Sequence, residues 1–294
     1  MSSPSFLTIP NWTRIYTGKV HDIYLPAGAP AYSGSETMMF VASDRISVHD
    51  RVLPATIPGK GILLTDIAAW WFDQLADIVP THYLSLNVPS EVAGRAMIVR
   101  RLRMFPVECS VVGYVTESVA EEYQCAQTIG GIAQPEGLEI GQQLPKPVFI
   151  PAVKGAVGAD DQIISPVQAQ RLLGVNQARR LSSLSVELYR RANEISAERG
   201  LVIAECKLEF GSSADEGDEE YVLADQAFTP DSATYWLKSE VDCGVPRVFG
   251  KDYLRKAISE DVSAWTHGGA APVVAEDVLA EMAERYAFVR EKLC

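Results

Sequence analysis

The clearest alternation of apolar and polar positions in the chain lies between Leu201 and Trp236. Leu201-Val-Ile-Ala-Glu-Cys-Lys-Leu-Glu-Phe-Gly211 and a second apolar piece beginning Tyr221-Val-Leu-Ala-Asp225 flank the small, polar and acidic run 212–220. Short apolar runs joined by turn formers predict two strands of a hairpin. Strand side chains alternate between faces. Glu205, Lys207 and Glu209 are therefore expected on one face, with Cys206, Leu208 and Phe210 on the other. The second strand carries Asp225 at its far end.

The same reading places other elements. The stretch 13–25 alternates around Gly18-Lys19, as two strands meeting across a glycine would. The run 37–42 reads as a strand, and 96–105 as a buried strand entering a linker before Pro106. A helix is predicted over 65–76 with Ile67, Trp70 or Trp71, and Leu75 inward. Ser165-Pro166 suits a helix cap and first turn. A longer helix over 177–199 turns Ala178, Leu181, Leu184, Leu188 and Ile195 to one side and stops at Gly200. Val278, Met282, Tyr286, Val289 and Leu293 mark a final amphipathic helix.

A hairpin that gathers Glu209, Lys207 and Asp225 suits Mg²⁺ bound to a nucleotide. Hard divalent ions take carboxylate and phosphate oxygens, and a lysine neutralises further phosphate charge. The same spacing also suits a solvated strand face closed by a salt bridge. At Gly18-Lys19, backbone N–H groups could approach phosphates, with Lys19 adding charge. A plain hairpin turn fits those two residues as well.

Composition narrows the class. With 294 residues, 47% hydrophobic and 22% charged, the chain suits a large globular core and two lobes. A net charge of −12 argues against a general nucleic-acid or anionic-membrane surface, while leaving room for a nucleotide pocket. No apolar run approaches the roughly 18–20 residues of a membrane span. Cys109, Cys125, Cys206, Cys243 and Cys294 are scattered without metal-site spacing, as in a cytoplasmic protein with reduced thiols. The opening Met1-Ser-Ser-Pro-Ser lacks the basic region and apolar run of a signal peptide.

Lys207-Leu-Glu-Phe-Gly211, Ala224-Asp225, Phe228-Thr-Pro-Asp-Ser232 and Trp236 resemble the C-terminal signature of the SAICAR synthetases. The resemblance runs from about Gly18 to the last helix. It implies an α+β, two-lobed fold related to the kinase and ATP-grasp architectures. ATP would lie between a β-rich lobe (1–105) and a larger α/β lobe (106–294). It also implies ATP-driven joining of aspartate to the carboxylate of a phosphorylated imidazole ribonucleotide. By position in the family's motifs, Gly18, Lys19 and Lys60 would serve the nucleotide. Glu209 and Asp225 would hold the metal, and Lys207 and Glu205 would act in catalysis. Asp44, Ser118, Lys154, Asp161, Asp231, Ser232 and Thr234 would line the substrate side. Arg45 and Asp50 match the family's D-R-I-S motif along with Asp44.

The departures form a pattern. His21 stands where the family has a permanently charged residue, and Gln226 replaces a glutamate. Val112 and Thr234 replace two arginines that help hold the ribose phosphate. Glu117 adds a carboxylate beside Ser118, Gln162 and Ile163 replace an acid and an amide, and Glu205 is one methylene longer than the usual aspartate. Each lost arginine removes a charge-assisted contact worth about 1.5–3 kcal/mol. The reading that follows is an ATP- and Mg²⁺-dependent carboxylate–amine ligase acting on a different acid, in specialised metabolism. The alternatives are the purine enzyme with a rebuilt pocket and a non-catalytic nucleotide-binding homologue.

Overall fold

The computed structural model describes residues 8–29, 36–49, 51–155, 161–213, 220–241, 244, 246–258, 265 and 269–294. Asp50 and Cys243 lie outside the described residues. The fold is α+β. One antiparallel sheet holds β1 (Trp12–Thr17), β2 (His21–Pro26), β3 (Thr37–Ala42), β6 (Tyr83–Ser85) and β7 (Ala96–Arg100), in the order β1-β2-β3-β7-β6. Beside it β4 (Arg45–Val48) and β5 (Arg51–Thr56) form a separate pair.

The larger sheet is built on β14 (Leu201–Ser213). Its other strands are β8 (Leu102–Met104), β9 (Val107–Tyr114), β12 (Gln143–Val153), β13 (Gln162–Ile163), β15 (Val222–Ala224), β16 (Ala233–Leu237) and β17 (Val248–Phe249). The main path runs β13-β12-β9-β14-β16-β17, while β15 and β8 pair with the far end of β14. A small hairpin, β10 (Thr128–Ile129) with β11 (Ile132–Ala133), stands apart. The helices are α1 (Lys60–Leu75), α2 (Glu117–Ala126), α3 (Pro166–Leu173), α4 (Val175–Glu198), α5 (Lys238–Val241), α6 (Lys251–Ala257) and α7 (Glu276–Leu293).

One irregularity sets the chemistry of β14. Its pairing with β16 slips between Ile203 and Glu205, so Ala204 is an extra residue, a β-bulge. Before the bulge Leu201 and Ile203 belong to the main core; after it Cys206, Leu208 and Phe210 do. The bulge reverses the parity of the strand, and a row of charged residues can follow a row of core residues. The freed backbone groups of Ile203 are satisfied from α4: Tyr189 donates its hydroxyl to the carbonyl (2.7 Å), and the amide donates to Asn193 (2.9 Å). Gly113 in β9 makes room for that tyrosine, because a Cβ there would lie 1.9 Å from the hydroxyl.

The predicted strands at 13–25 and 37–42 are present, and the second apolar piece of the hairpin splits into β15 and β16. Between them the chain turns sharply, with Asp225 and Phe228 both at positive φ (58° and 56°). Helix α1 begins at Lys60 rather than Thr65. Its first turn is held from outside: the Asp44 carboxylate accepts the amides of Gly59 (3.2 Å) and Gly61 (3.0 Å). A cap supplied by a distant residue leaves no local motif to read. The run 96–105 is broken at Arg101, whose amide bonds to the Glu36 carbonyl (2.8 Å). The Ser165 cap closes a full capping box with Gln168. The predicted inward residues Ala178, Leu181, Leu184 and Leu188 of α4 are buried, as are Met282, Tyr286, Val289 and Leu293 of α7.

Candidate active site

Glu205, Lys207 and Glu209 project from β14 past the bulge, and each meets a different partner. Glu209 is paired with Lys154 at the end of β12, Nζ to Oε2 2.5 Å. Lys207 is paired with Glu108 of β9 at 2.8 Å. Glu205 accepts the hydroxyls of Ser118 (2.6 Å) and Thr116 (3.0 Å) before α2 and in its first turn. Thr234 of β16 lies 3.5 Å from the other Glu205 oxygen. Asp161 accepts the Gly155 amide (3.0 Å) and bears electrostatically on Lys207 and Glu209.

Asp225 follows β15, which pairs Ala224 against Glu209. Burial, and then the neighbouring Asp225 carboxylate, push Glu209 above the usual carboxylate range. Burial raises Asp225 as well, opposed by Lys154. Two carboxylates that resist ionising side by side present the electrostatics a divalent cation relieves. Among the described residues no set of three His, Cys, Asp or Glu side chains could hold a metal. An ion at this pair would draw its remaining oxygens from phosphate and water.

Gly18 and Lys19 form the β1–β2 turn, closed by the Gly18 amide on the His21 carbonyl (2.7 Å). Arg45 staples it, donating to the carbonyls of Gly18 and Lys19 (3.1 Å each) and pairing with Asp22 (2.9 Å). Asp44, placed by the resemblance on the substrate side, caps α1 and faces Arg95 at 3.5 Å.

Lys60 and Asp231 form a second, buried cluster. The fully buried Lys60 ammonium pairs with Asp231 (2.7 Å) and donates to the Arg45 carbonyl (3.0 Å). Asp231 also pairs with Lys251 of α6 (3.3 Å) and accepts the Tyr286 hydroxyl of α7 (2.6 Å). Despite burial, these two cations hold its carboxyl well below the usual range. Ser232 is engaged inside the turn, donating to the Gln226 carbonyl (2.8 Å). The cluster thus ties the loop after Asp225 to α1, α6 and α7.

Several contributors were not foreseen from sequence. His82, buried and pushed down to about 4 by burial, lies 3.0 Å from the Asp225 carbonyl through Nε2 and steadies that turn. Helix α6 carries Asp252, Arg255 and Lys256 to the Glu205 side. Asp252 accepts the Thr234 hydroxyl (2.6 Å) and pairs with Arg255 (2.5 Å), while Lys256 pairs with Glu117 (2.8 Å). Burial and Asp252 raise the Glu205 carboxyl, and Arg255 opposes the shift. Only the charge pattern Lys251-Asp-x-x-Arg255-Lys256 could have signalled this element.

The departures from the family pattern also find places. Val112, opposite Glu205 in the β9–β14 pairing, is buried with Val119, Tyr123 and Val148 under α2. Glu117 is exposed and neutralised by Lys256. Gln162 and Ile163 form the exposed edge strand β13, and nothing in the structure explains either change. His21 and Gln226 meet each other, Nε2 to Oε1 2.8 Å.

The cysteines Cys109, Cys125, Cys206 and Cys294 are free thiols. No helix among the described residues is long and apolar enough to cross a membrane.

Comparison with known proteins identifies the family. The SAICAR synthetase family model matches residues 14–272. The phosphoribosylaminoimidazole-succinocarboxamide synthase of Thermobifida fusca is 39% identical over 300 residues, covering 100% of this chain and 94% of that protein. Its namesake from Salinispora arenicola is 40% identical over 281 residues, covering 95% and 97%. Among solved structures, the SAICAR synthase of Saccharomyces cerevisiae complexed with SAICAR matches with a TM-score of 0.79 at 31% identity, over 97% of this chain and 95% of that one. The chain belongs to the SAICAR synthetase family, and is an ATP-dependent carbon–nitrogen ligase.

Proposed function

We propose that this ligase joins aspartate to the carboxylate of a phosphorylated imidazole ribonucleotide, the purine-pathway reaction for which its relatives are named. The observation that carries the reading is the row Glu205–Lys207–Glu209 facing Asp225. Helix α6 brings Arg255 and Lys256 to the side where Val112 and Thr234 leave the family's arginines missing, each already paired with a carboxylate, Asp252 and Glu117. A further support is the name shared by relatives 39% and 40% identical to this chain. The purine reading is thereby favoured over a changed acid.

In this account the nucleotide lies between lobes 1–105 and 106–294, with β8 crossing from the first to pair with β14 of the second. The Gly18-Lys19 turn covers its phosphates. Glu209 and Asp225 would hold Mg²⁺, which would supply positive charge to the nucleotide's phosphates. The acid's carboxylate oxygen attacks the γ-phosphorus, and ADP leaves. Lys207 and Lys154 stabilise charge on the phosphoryl oxygens during transfer. Glu205, held by Thr116 and Ser118, orients the aspartate amine and accepts its proton. The amine nitrogen then attacks the acyl carbon, and inorganic phosphate departs with the electrons of the broken C–O bond.

A second reading, a different acid, rests on one observation. Thr234 is tied to Asp252, and Val112 is sealed under α2, so neither position offers a phosphate donor. One experiment separates the two. The protein is incubated with ATP, Mg²⁺, aspartate and the carboxylated imidazole ribonucleotide, and ADP and the succinocarboxamide are quantified together. Sustained turnover supports the purine reaction. ATP binding without turnover, combined with turnover of the unphosphorylated nucleoside, supports the second reading.

A further inference from the structure

His21 lies in β2, directly after the turn that covers the phosphates, and Gln226 directly follows Asp225. They are 205 positions apart and meet at 2.8 Å. A consistent set of donors continues from them. The His21 Nε2–H donates to Gln226 Oε1, the Gln226 amide donates to Thr65 Oγ1 (3.4 Å), and the Thr65 hydroxyl donates to the Gly61 carbonyl (2.9 Å). The imidazole stacks on Phe40 at 4.3 Å between centroids, and its Nδ1 stands 3.9 Å from Asp225 Oδ1. Burial pushes the ring down to about 4, so it is neutral at physiological pH. Gln226 is buried. His21 and Gln226 thus meet at two positions where the resemblance gives the family a charged residue and a glutamate.

We propose that His21 and Gln226 are a positioning pair for Asp225, a hydrogen-bonded tie that fixes the phosphate-covering hairpin against the metal-binding turn and to the start of α1. The two departures from the family pattern are then a single change, made on both sides of one contact. The tie is expected to act mainly on the metal, because Asp225 itself sits at positive φ and is braced from the other side by its carbonyl bond to His82. Groups that orient a metal ligand from outside the coordination sphere typically change metal affinity by about 10–100-fold when removed. This inference rests on the reading of Asp225 as a metal ligand.

The test measures ADP binding by titration calorimetry across a series of Mg²⁺ concentrations, with apo-protein melting recorded in parallel. Asp225→Asn serves as the reference, and should abolish the Mg²⁺ dependence. His21→Phe, which retains stacking on Phe40, and Gln226→Leu should each raise the Mg²⁺ concentration for half-maximal binding about tenfold or more. The apo melting temperature should fall by only a few degrees, the cost of one lost buried hydrogen bond. His21→Gln, whose amide reaches the Nε2 position, should stay within a few-fold of the parent, and serves if the Phe variant does not fold. The paired exchange His21→Arg with Gln226→Glu should recover most of what either single exchange loses. An unchanged Mg²⁺ requirement in His21→Phe, beside a lost dependence in Asp225→Asn, would overturn the tie. So would a paired exchange no better than its single components. An unaltered dependence in Asp225→Asn would instead overturn the metal reading beneath it.

Discussion

Lys154 donates to Glu209 over 2.5 Å, so a cation of the protein's own stands at one of the two carboxylates assigned to the metal. The Lys154 side chain is 46% exposed, and the pair is open to exchange. Lys154 therefore competes with a divalent ion in the nucleotide-free protein, and is released toward phosphate when the ion arrives. Lys154→Met should bind Mn²⁺ more tightly than the parent without nucleotide, by about two- to fivefold, the order of one partly exposed ion pair. It should also lose turnover. Titration followed by the paramagnetic signal of free Mn²⁺ checks the first point. Weaker Mn²⁺ binding in the variant would assign Lys154 a supporting role instead.

Glu205 is the group whose protonation should govern the acid limb of the rate. Burial and Asp252 raise its carboxyl above the ordinary carboxylate range. A base must be ionised to accept a proton, so kcat/KM should climb with pH through that raised value. Glu205→Gln should flatten this limb and lower kcat by about 10²–10⁴. A pH profile of both proteins decides it. The same limb surviving in the Gln variant would remove Glu205 from the proton's path.

Asp231 should matter for folding more than for chemistry. Its carboxylate sits between Lys60 and Lys251 and accepts the Tyr286 hydroxyl. Asp231→Asn leaves two lysines without their counter-charge, a change that costs about 3–5 kcal/mol when such a pair is buried. The sign with pH follows from the depressed carboxyl. The contribution is fully present above the unfolded value near ~3.9 and is lost as pH falls below it toward the folded one. Urea titrations at neutral pH and near pH 3 should show a large gap between parent and variant that narrows in acid.

The bulge in β14 gives a prediction about packing. Tyr189→Phe removes the donor to the Ile203 carbonyl, and should cost about 1–3 kcal/mol. Gly113→Ala forces a methyl into the tyrosine hydroxyl, and should cost more than Tyr189→Phe. In the Phe background the Gly113→Ala penalty should shrink, because the clashing oxygen is gone. Chemical denaturation of the four proteins as a double-mutant cycle measures that coupling.

Much of this was legible in the chain, and the reasons are local ones. Alternation exposed the Glu205–Lys207–Glu209 row, and 3.6-residue periodicity exposed the buried face of α4. What escaped reading depends on contacts between distant positions. The alternation gave no sign of the bulge at Ala204, whose freed groups are satisfied by Tyr189 and Asn193 on another element. The Asp44 cap on α1 comes from outside the helix. His21 and Gln226 read as two unrelated departures until their side chains were seen to meet. The missing arginines at Val112 and Thr234 suggested an emptied phosphate grip. Helix α6, a short segment with no apolar pattern of its own, brings Arg255 and Lys256 to that side, each paired with a carboxylate.

The most direct test of the account is a crystal structure with ADP and Mn²⁺, using anomalous scattering to locate the metal. The account predicts a peak shared by the Glu209 and Asp225 carboxylates and the nucleotide's phosphates, with Lys154 moved off Glu209. Bound nucleotide whose metal lies away from both carboxylates, with the Lys154–Glu209 pair intact, would contradict it.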